Sequence, residues 1–268
     1  MSSINESKLK RVSSSDSIFS NDSEYENTND NQNIFNVLKS CRSMKKGDDI
    51  IELIVEFKTL LEDNKDNPHF EVDLFYQFDN LFFLFSKKDK KIMPYLDDVT
   101  SVFIKNIHEW AIPDVIDTLI YGLSNESYKG DDVKSIRKEY CLKALNIIVE
   151  MYPHHIKNKL VNLIEPVSNL CNDLGRGINE AANKVLDKII VCNGNTDLIP
   201  FTPSVMKFFI GNLDSDSIID ELAGCVFVQD IELSALSIIE PILIEGLKHL
   251  KNETQRKTCV IIDNICKL

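Results

Sequence analysis

The sequence predicts an all-α solenoid, a right-handed superhelix of antiparallel helix pairs, on three observations. Turn residues are scarce: nine glycines and eight prolines in 268 residues are about half the usual share, too few for a many-stranded fold. Apolar residues recur at steps of three to four over helix-length stretches, without a convincing two-residue alternation. Proline-bearing apolar segments also return at a near-constant interval, and self-similarity at a period of roughly 20–50 residues marks stacked repeats.

The elements follow in order. Residues 1–32 are rich in Ser, Asn, Asp and Glu and cannot bury enough apolar surface to offset the entropy of ordering, so they read as a disordered tail. Arg11 ahead of Ser13, Ser14, Ser15 and Ser17 allows phosphorylation, though a plain solvated tail explains these serines more simply. Residues 33–150 read as degenerate helical repeats. In 49–61, Ile50, Leu53, Ile54, Phe57, Leu60 and Leu61 form one apolar stripe. In 74–85, Leu74, Phe75, Phe78, Leu81, Phe82 and Phe85 form another, and Phe83 and Leu84 make that helix apolar nearly all round. Further stripes run through Cys141, Ala144, Leu145, Ile148 and Met151, and through Ile178, Ala181, Ala182, Val185, Ile189 and Cys192.

Pro113, Pro166, Pro203 and Pro241 each sit in a segment that reads as a helix opening, because proline at the first helical turn loses nothing. The last three are 37 and 38 residues apart, and the polar stretch Asn125–Asp132 looks like an insertion in the longer first interval. Two helices per period of roughly 40 is the HEAT/armadillo-like period, whose pairs bury their apolar faces only by stacking. Asp131 and Arg137 stand six apart, as the turn Asp and the following basic residue of such repeats do; Asp173 has Asn179 at that spacing instead. Gly175-Arg176-Gly177 reads as the turn between two repeat helices, and the acid pairs Asp97-Asp98 and Asp131-Asp132 as helix-start or solvated charges.

Charge and composition narrow the function. The net charge of −12 gives no global attraction to nucleic acid or anionic lipid, which argues against DNA and membrane as partners. No apolar run approaches the roughly 18 residues of a membrane span, and no secretory h-region opens the chain. The seven cysteines, an odd number without a C-x-x-C, read as reduced core thiols of a cytoplasmic protein. His154 and His155 are adjacent and no second pair stands at zinc-ligand spacing, so no metal or other cofactor is expected. No catalytic grouping can be argued from spacing, so no small-molecule substrate is expected. Lys87, Lys88, Lys90 and Lys91 form the densest basic cluster, either a phosphate-binding patch or the solvated end of a helix.

Residues 151–268 resemble the N-terminal HEAT-repeat domain of fungal-type translation elongation factor 3. The carrying segments are Tyr152-Pro153-His154-His155-Ile156, Leu163-Ile164-Glu165-Pro166-Val167-Ser168, Phe201-Thr202-Pro203, Leu222-Ala223-Gly224-Cys225-Val226-Phe227-Val228, Leu236-Ser237-Ile238-Ile239-Glu240-Pro241 and, above all, Arg256-Lys257-Thr258-Cys259-Val260-Ile261-Ile262-Asp263-Asn264-Ile265-Cys266-Lys267-Leu268. The resemblance implies a ribosome-docking module without the factor's ATP-hydrolysing domains. No G-x-x-x-x-G-K-[ST] phosphate loop occurs in the chain. A non-enzymatic scaffold is therefore expected, with the ribosome (its protein and rRNA) or a translation factor as partner. The alternatives are a competitor or regulator of the full-length factor or of the general-control scaffold, and a fragment of a complete ABC ATPase.

Arg256 and Lys257 match basic positions of the family motif and are the better contact residues, with Lys267 weaker. The chain departs from the family at Ile244-Glu245, before Gly246-Leu247, and at Asn179-Glu180. Both departures lower the positive potential and tilt the expectation from RNA towards protein contacts. In the last segment, Val260, Ile261, Ile262, Ile265 and Leu268 predict an apolar face that is in part exposed, or covered by the N-terminal region or a partner.

Overall fold

The computed structural model describes residues 47–63, 65, 91–124 and 131–267. The tail, the aromatic stretch 74–85, Cys41, Lys87, Lys88 and Lys90 lie outside the described residues, as do 125–130. Among the described residues ten α-helices follow one another: α1 (Gly47–Asp63), α2 (Met93–Asn106), α3 (Ile112–Ser124), α4 (Asp131–Met151), α5 (Pro153–Leu170), α6 (Arg176–Val191), α7 (Thr202–Phe209), α8 (Ser215–Ala223), α9 (Leu233–Lys248) and α10 (Asn252–Cys266). Short 3-10 turns at Glu109–Ala111 and Ile199–Phe201 lead into α3 and α7. There is no strand among the described residues. The protein is an all-α solenoid of two layers. In the first, α1, α2, α4, α6, α7, α8 and α10 pack each on the next; in the second, α3 packs on α5 and α5 on α9.

Apolar spacing builds each layer. In α5, Ile156, Leu160, Leu163, Ile164, Val167 and Leu170 fall on one stripe and are all buried, each aliphatic side chain worth about 1.5–3 kcal/mol against exposure. The stripe of 49–61 buries Ile50, Ile54, Phe57 and Leu61 at the core, with Leu53 and Leu60 packed against it. Met151, placed on the stripe of α4, is exposed instead, because it is the last residue of its helix. Asp214 accepts a hydrogen bond from Ser217 N at 2.8 Å and caps α8, one of the orphan donors that every helix start leaves.

Two of the four prolines do not open helices. Pro113 and Pro203 lie in the first turns of α3 and α7, but Pro166 and Pro241 lie inside α5 and α9. Each removes one backbone donor in the helix interior, and burial of the surrounding apolar stripe outweighs that loss. The start of α5 belongs to Pro153. Asp173 and Asn179 both act at the turn between α5 and α6. Asp173 accepts from Gly175 N at 2.8 Å and closes the turn, while Asn179 donates to the carbonyl of Cys171 and ties α6 to the end of α5. Gly175-Arg176-Gly177 is that turn and the start of α6.

The repeat distance shows itself in charge. Lys143 of α4 meets Asp97 of α2 at 2.8 Å, Lys159 of α5 meets Asp117 of α3 at 2.6 Å, and Lys257 of α10 meets Asp220 of α8 at 2.9 Å. Lys58 of α1 pairs with Asp98 of α2, and Lys188 of α6 with Glu150 of α4. Exposed pairs of this kind add little to stability singly; four of the five recur along the first layer, each linking a helix to its neighbour. Asp97 and Asp98 are thus rungs between helices rather than helix-start charges.

The thiols divide. Cys141 and Cys171 are buried, Cys192 and Cys225 half-buried, and Cys259 and Cys266 exposed, so the expectation of core cysteines fails for the last two. Burial pushes the Cys171 thiol up to about 12, which leaves it inert as a nucleophile. No described helix is long and apolar enough to cross a membrane.

A candidate docking groove

The groove arises where the two layers fall out of step. α7 has only eight residues and packs chiefly on α6 and α8 in the first layer. The second layer therefore has no full helix to set between α5 and α9, which become direct neighbours. Above their contact opens a groove of about 790 Å³, walled by α5 and α9 and floored by the end of α7 and the segment that joins it to α8. Gly211, at φ +75°, makes the turn in that floor, a left-handed conformation that side chains other than glycine rarely adopt.

The surface of the groove is apolar below and acidic above. Phe208 and Phe209, stacked edge to face with ring centroids 5.6 Å apart, and Leu213 supply the floor. Val161 and Ile244 stand exposed on the two walls. Glu165, Asp214, Glu240 and Glu245 line the groove with one cation among its lining residues, Lys248. All five are exposed. The carboxylates of the interhelical pairs are spoken for, but none of these four forms an ion pair with a described residue. The backbone N–H of Ser217, together with its hydroxyl, holds the Asp214 carboxyl below the usual aspartate range, so that charge persists into mild acid. Pro241 also lines the groove, and because it has no N–H the Ser237 carbonyl lacks its usual helical donor. Such a surface offers acceptors and apolar contact, and repels phosphate.

The basic residues singled out by sequence stand elsewhere. Arg256 is exposed on α10, in the first layer. Lys257 is half-buried and holds both Asp220 and Glu253 at 2.9 Å. Its hydrogen bonds to those two carboxylates push its pKa up to about 12. Lys267 pairs with Asp263 of the same helix, and Lys91 is exposed at the start of the segment leading into α2. Of the apolar face expected on α10, Val260 is exposed and Ile262 and Ile265 are half-buried, while Ile261 is buried. Sequence reasoning did not find the groove, though a signal lay in Ile244-Glu245. Both residues line it.

The possible metal ligands are gathered at one place among the described residues, where Glu109 of the 3-10 turn meets His154 and His155 at the start of α5. The third ligand comes from another repeat, so spacing along the chain could not reveal it.

Fold and packing define the class, a HEAT-type α-solenoid. In sequence the chain is similar to elongation factor 3. Residues 214–268 match the family model described as "Elongation factor 3/GNC1 HEAT repeat". Elongation factor 3 of Phytophthora infestans is 31% identical over 128 residues, 47% of this chain and 12% of that protein. Elongation factor 3 of Pneumocystis carinii is 26% identical over 170 residues, 63% of this chain and 16% of that protein. Elongation factor 3B of Saccharomyces cerevisiae is 24% identical over 181 residues, 68% and 17%. The chain thus carries an elongation-factor-3-like HEAT-repeat region and spans less than a fifth of the length of these relatives.

Proposed function

We propose that the chain is a non-catalytic docking scaffold of cytoplasmic translation, and that the groove between α5 and α9 receives a basic segment of a ribosomal protein or translation factor. The observation that carries this reading is the set of four carboxylates, none in an ion pair with a described residue, around an apolar floor, in a region similar to elongation factor 3. A Lys- or Arg-rich segment with one or two apolar side chains would neutralise the rim and fill the floor, with contact potential speeding encounter. Arg256 and Lys257, with Lys87, Lys88, Lys90 and Lys91, are the residues we assign to secondary contacts with ribosomal RNA or acidic protein surface. No covalent chemistry is required of any of them.

The test is co-sedimentation of the full chain with ribosomes across a salt series. The unmodified chain pellets at low salt and is released as salt screens the contact. Glu240→Lys/Glu245→Lys lowers the bound fraction severalfold, and Arg256→Glu lowers it less. A chain that stays in the supernatant at low salt refutes ribosome docking. Binding that survives the groove reversal but is lost with Arg256→Glu transfers the site to α10.

A further inference from the structure

We propose that Glu109, His154 and His155 form a binding site for a divalent transition metal, with zinc as its best fit, which clamps α3 to α5 at their N-terminal ends. Pro153 is the first residue of α5 and its fixed φ sets the opening turn. That turn presents His154 and His155 side by side, their ring centroids 4.1 Å apart. Glu109 arrives from the 3-10 turn before α3, which is held by the buried Ala111 and by the hydrogen bond from Trp110 N to His108 Nδ1. Glu109 Oε1 lies 2.8 Å from His154 Nε2 and 3.4 Å from His155 Nε2.

These separations suit a metal. With bonds of about 2.0–2.2 Å, two ligands of a tetrahedral zinc ion stand about 3.3 Å apart, and the two Glu109 distances bracket that value. The ligand atoms of all three residues lie within 4.8 Å of one another. His154, 59% exposed, is free to close the remaining gap. His155 supplies the independent sign. Its Nε2 is buried and has no hydrogen-bond partner among the described residues, although Glu109 is beside it. A buried ring nitrogen left without a partner is costly, and a metal would engage its lone pair. Two imidazoles and one carboxylate favour zinc, nickel or copper over magnesium and calcium, which take oxygen ligands. Exposure of Glu109 and His154 leaves the fourth position to water or to a side chain of a partner.

The sole tryptophan of the chain, Trp110, adjoins Glu109 and serves as a local reporter. The experiment uses the full chain without a histidine tag. Zinc uptake is followed by isothermal titration, and quenching of Trp110 by nickel or copper by fluorescence. The expected result is one zinc per chain, quenching of Trp110, and a zinc-dependent rise in melting temperature. Glu109→Gln, His154→Ala and His155→Ala each weaken uptake at least tenfold and abolish the zinc-dependent rise. Glu109→Gln is the gentlest of the three, since it keeps the volume of the side chain. Cys259→Ser/Cys266→Ser removes the exposed thiols and leaves the Trp110 response unchanged. Trp110 that is not quenched under a tenfold excess of nickel or copper overturns the proposal, and so does quenching that persists unchanged in Glu109→Gln.

Discussion

Gly246 lies where α9 packs closely on α8 and α10, and Gly246→Ala is an informative perturbation of the stack. An alanine Cβ there would lie 2.4 Å from Thr258 Oγ1 of α10 and 3.0 Å from Cδ1 and Cγ1 of Ile219 of α8. That is about 1 Å inside ordinary contact. Thr258 is fully buried and its hydroxyl donates to the Thr254 carbonyl at 2.8 Å, so it cannot swing away without losing that bond. Overpacking of this kind costs about 1–3 kcal/mol. Against it stands a gain of about 1 kcal/mol from replacing glycine inside a helix. The net expectation is a loss of about 1 kcal/mol, or about 2–4 °C in melting temperature for a body of this size, read by far-UV circular dichroism on heating. The decisive measurement is the same substitution in a Thr258→Ala background. With Oγ1 gone, Gly246→Ala recovers at least about 1 kcal/mol, a coupling expected only of groups in contact. If Gly246→Ala stabilises both backgrounds equally, α9 does not approach Thr258 and Ile219 this closely.

Three further outcomes follow from other parts of the molecule. Leu160→Ala, at a fully buried position of α5, should cost about 2–5 kcal/mol, whereas Leu174→Ala, at an exposed position in the following turn, should stay within about 0.5 kcal/mol; chemical denaturation of the pair checks both. Asp197 accepts from Gln229 N and Val228 N, and those two bonds hold its carboxyl below the usual range. A carboxyl depressed in the folded state stabilises it above the ordinary aspartate pKa, and loses that effect as pH falls through the lower folded value. Asp197→Asn should therefore lower stability at neutral pH and flatten its decline in acid, as urea midpoints across an acidic pH series would show.

Helix class, the core faces and the kinship of the second half could be read from the chain because they rest on local periodicity and contiguous strings. The stripe at 49–61 became α1, and Cys141, Ala144, Leu145 and Ile148 became the buried face of α4. The proline spacing misled. Pro166 and Pro241 occupy the interiors of neighbouring second-layer helices, while Pro203 opens a short helix of the first layer, so the three are not equivalent positions of successive repeats. Proline reads as a helix start because an isolated helix tolerates it nowhere else, and packing overrides that rule. The lysine–carboxylate pairs, from Lys58 and Asp98 to Lys257 and Asp220, keep the repeat interval better. The groove and the Glu109–His154–His155 cluster were invisible for one reason. Each joins residues of different repeats, and spacing along the chain is silent about such meetings.

The break at α7 has a mechanical consequence. From α1 to α6, and again from α8 to α10, each first-layer helix is pinned to the next by a lysine–carboxylate pair. Between α6 and α8 the link is of another kind, a latch at one rim where Asp197 and Asn195 reach the loop that holds Val228, Gln229 and Asp230. In a stack braced in one way on both sides of a joint linked in another, any bending would concentrate at that joint. Bending there would widen or narrow the gap between α5 and α9, so a ligand's grip and the curvature of the whole rod become one variable.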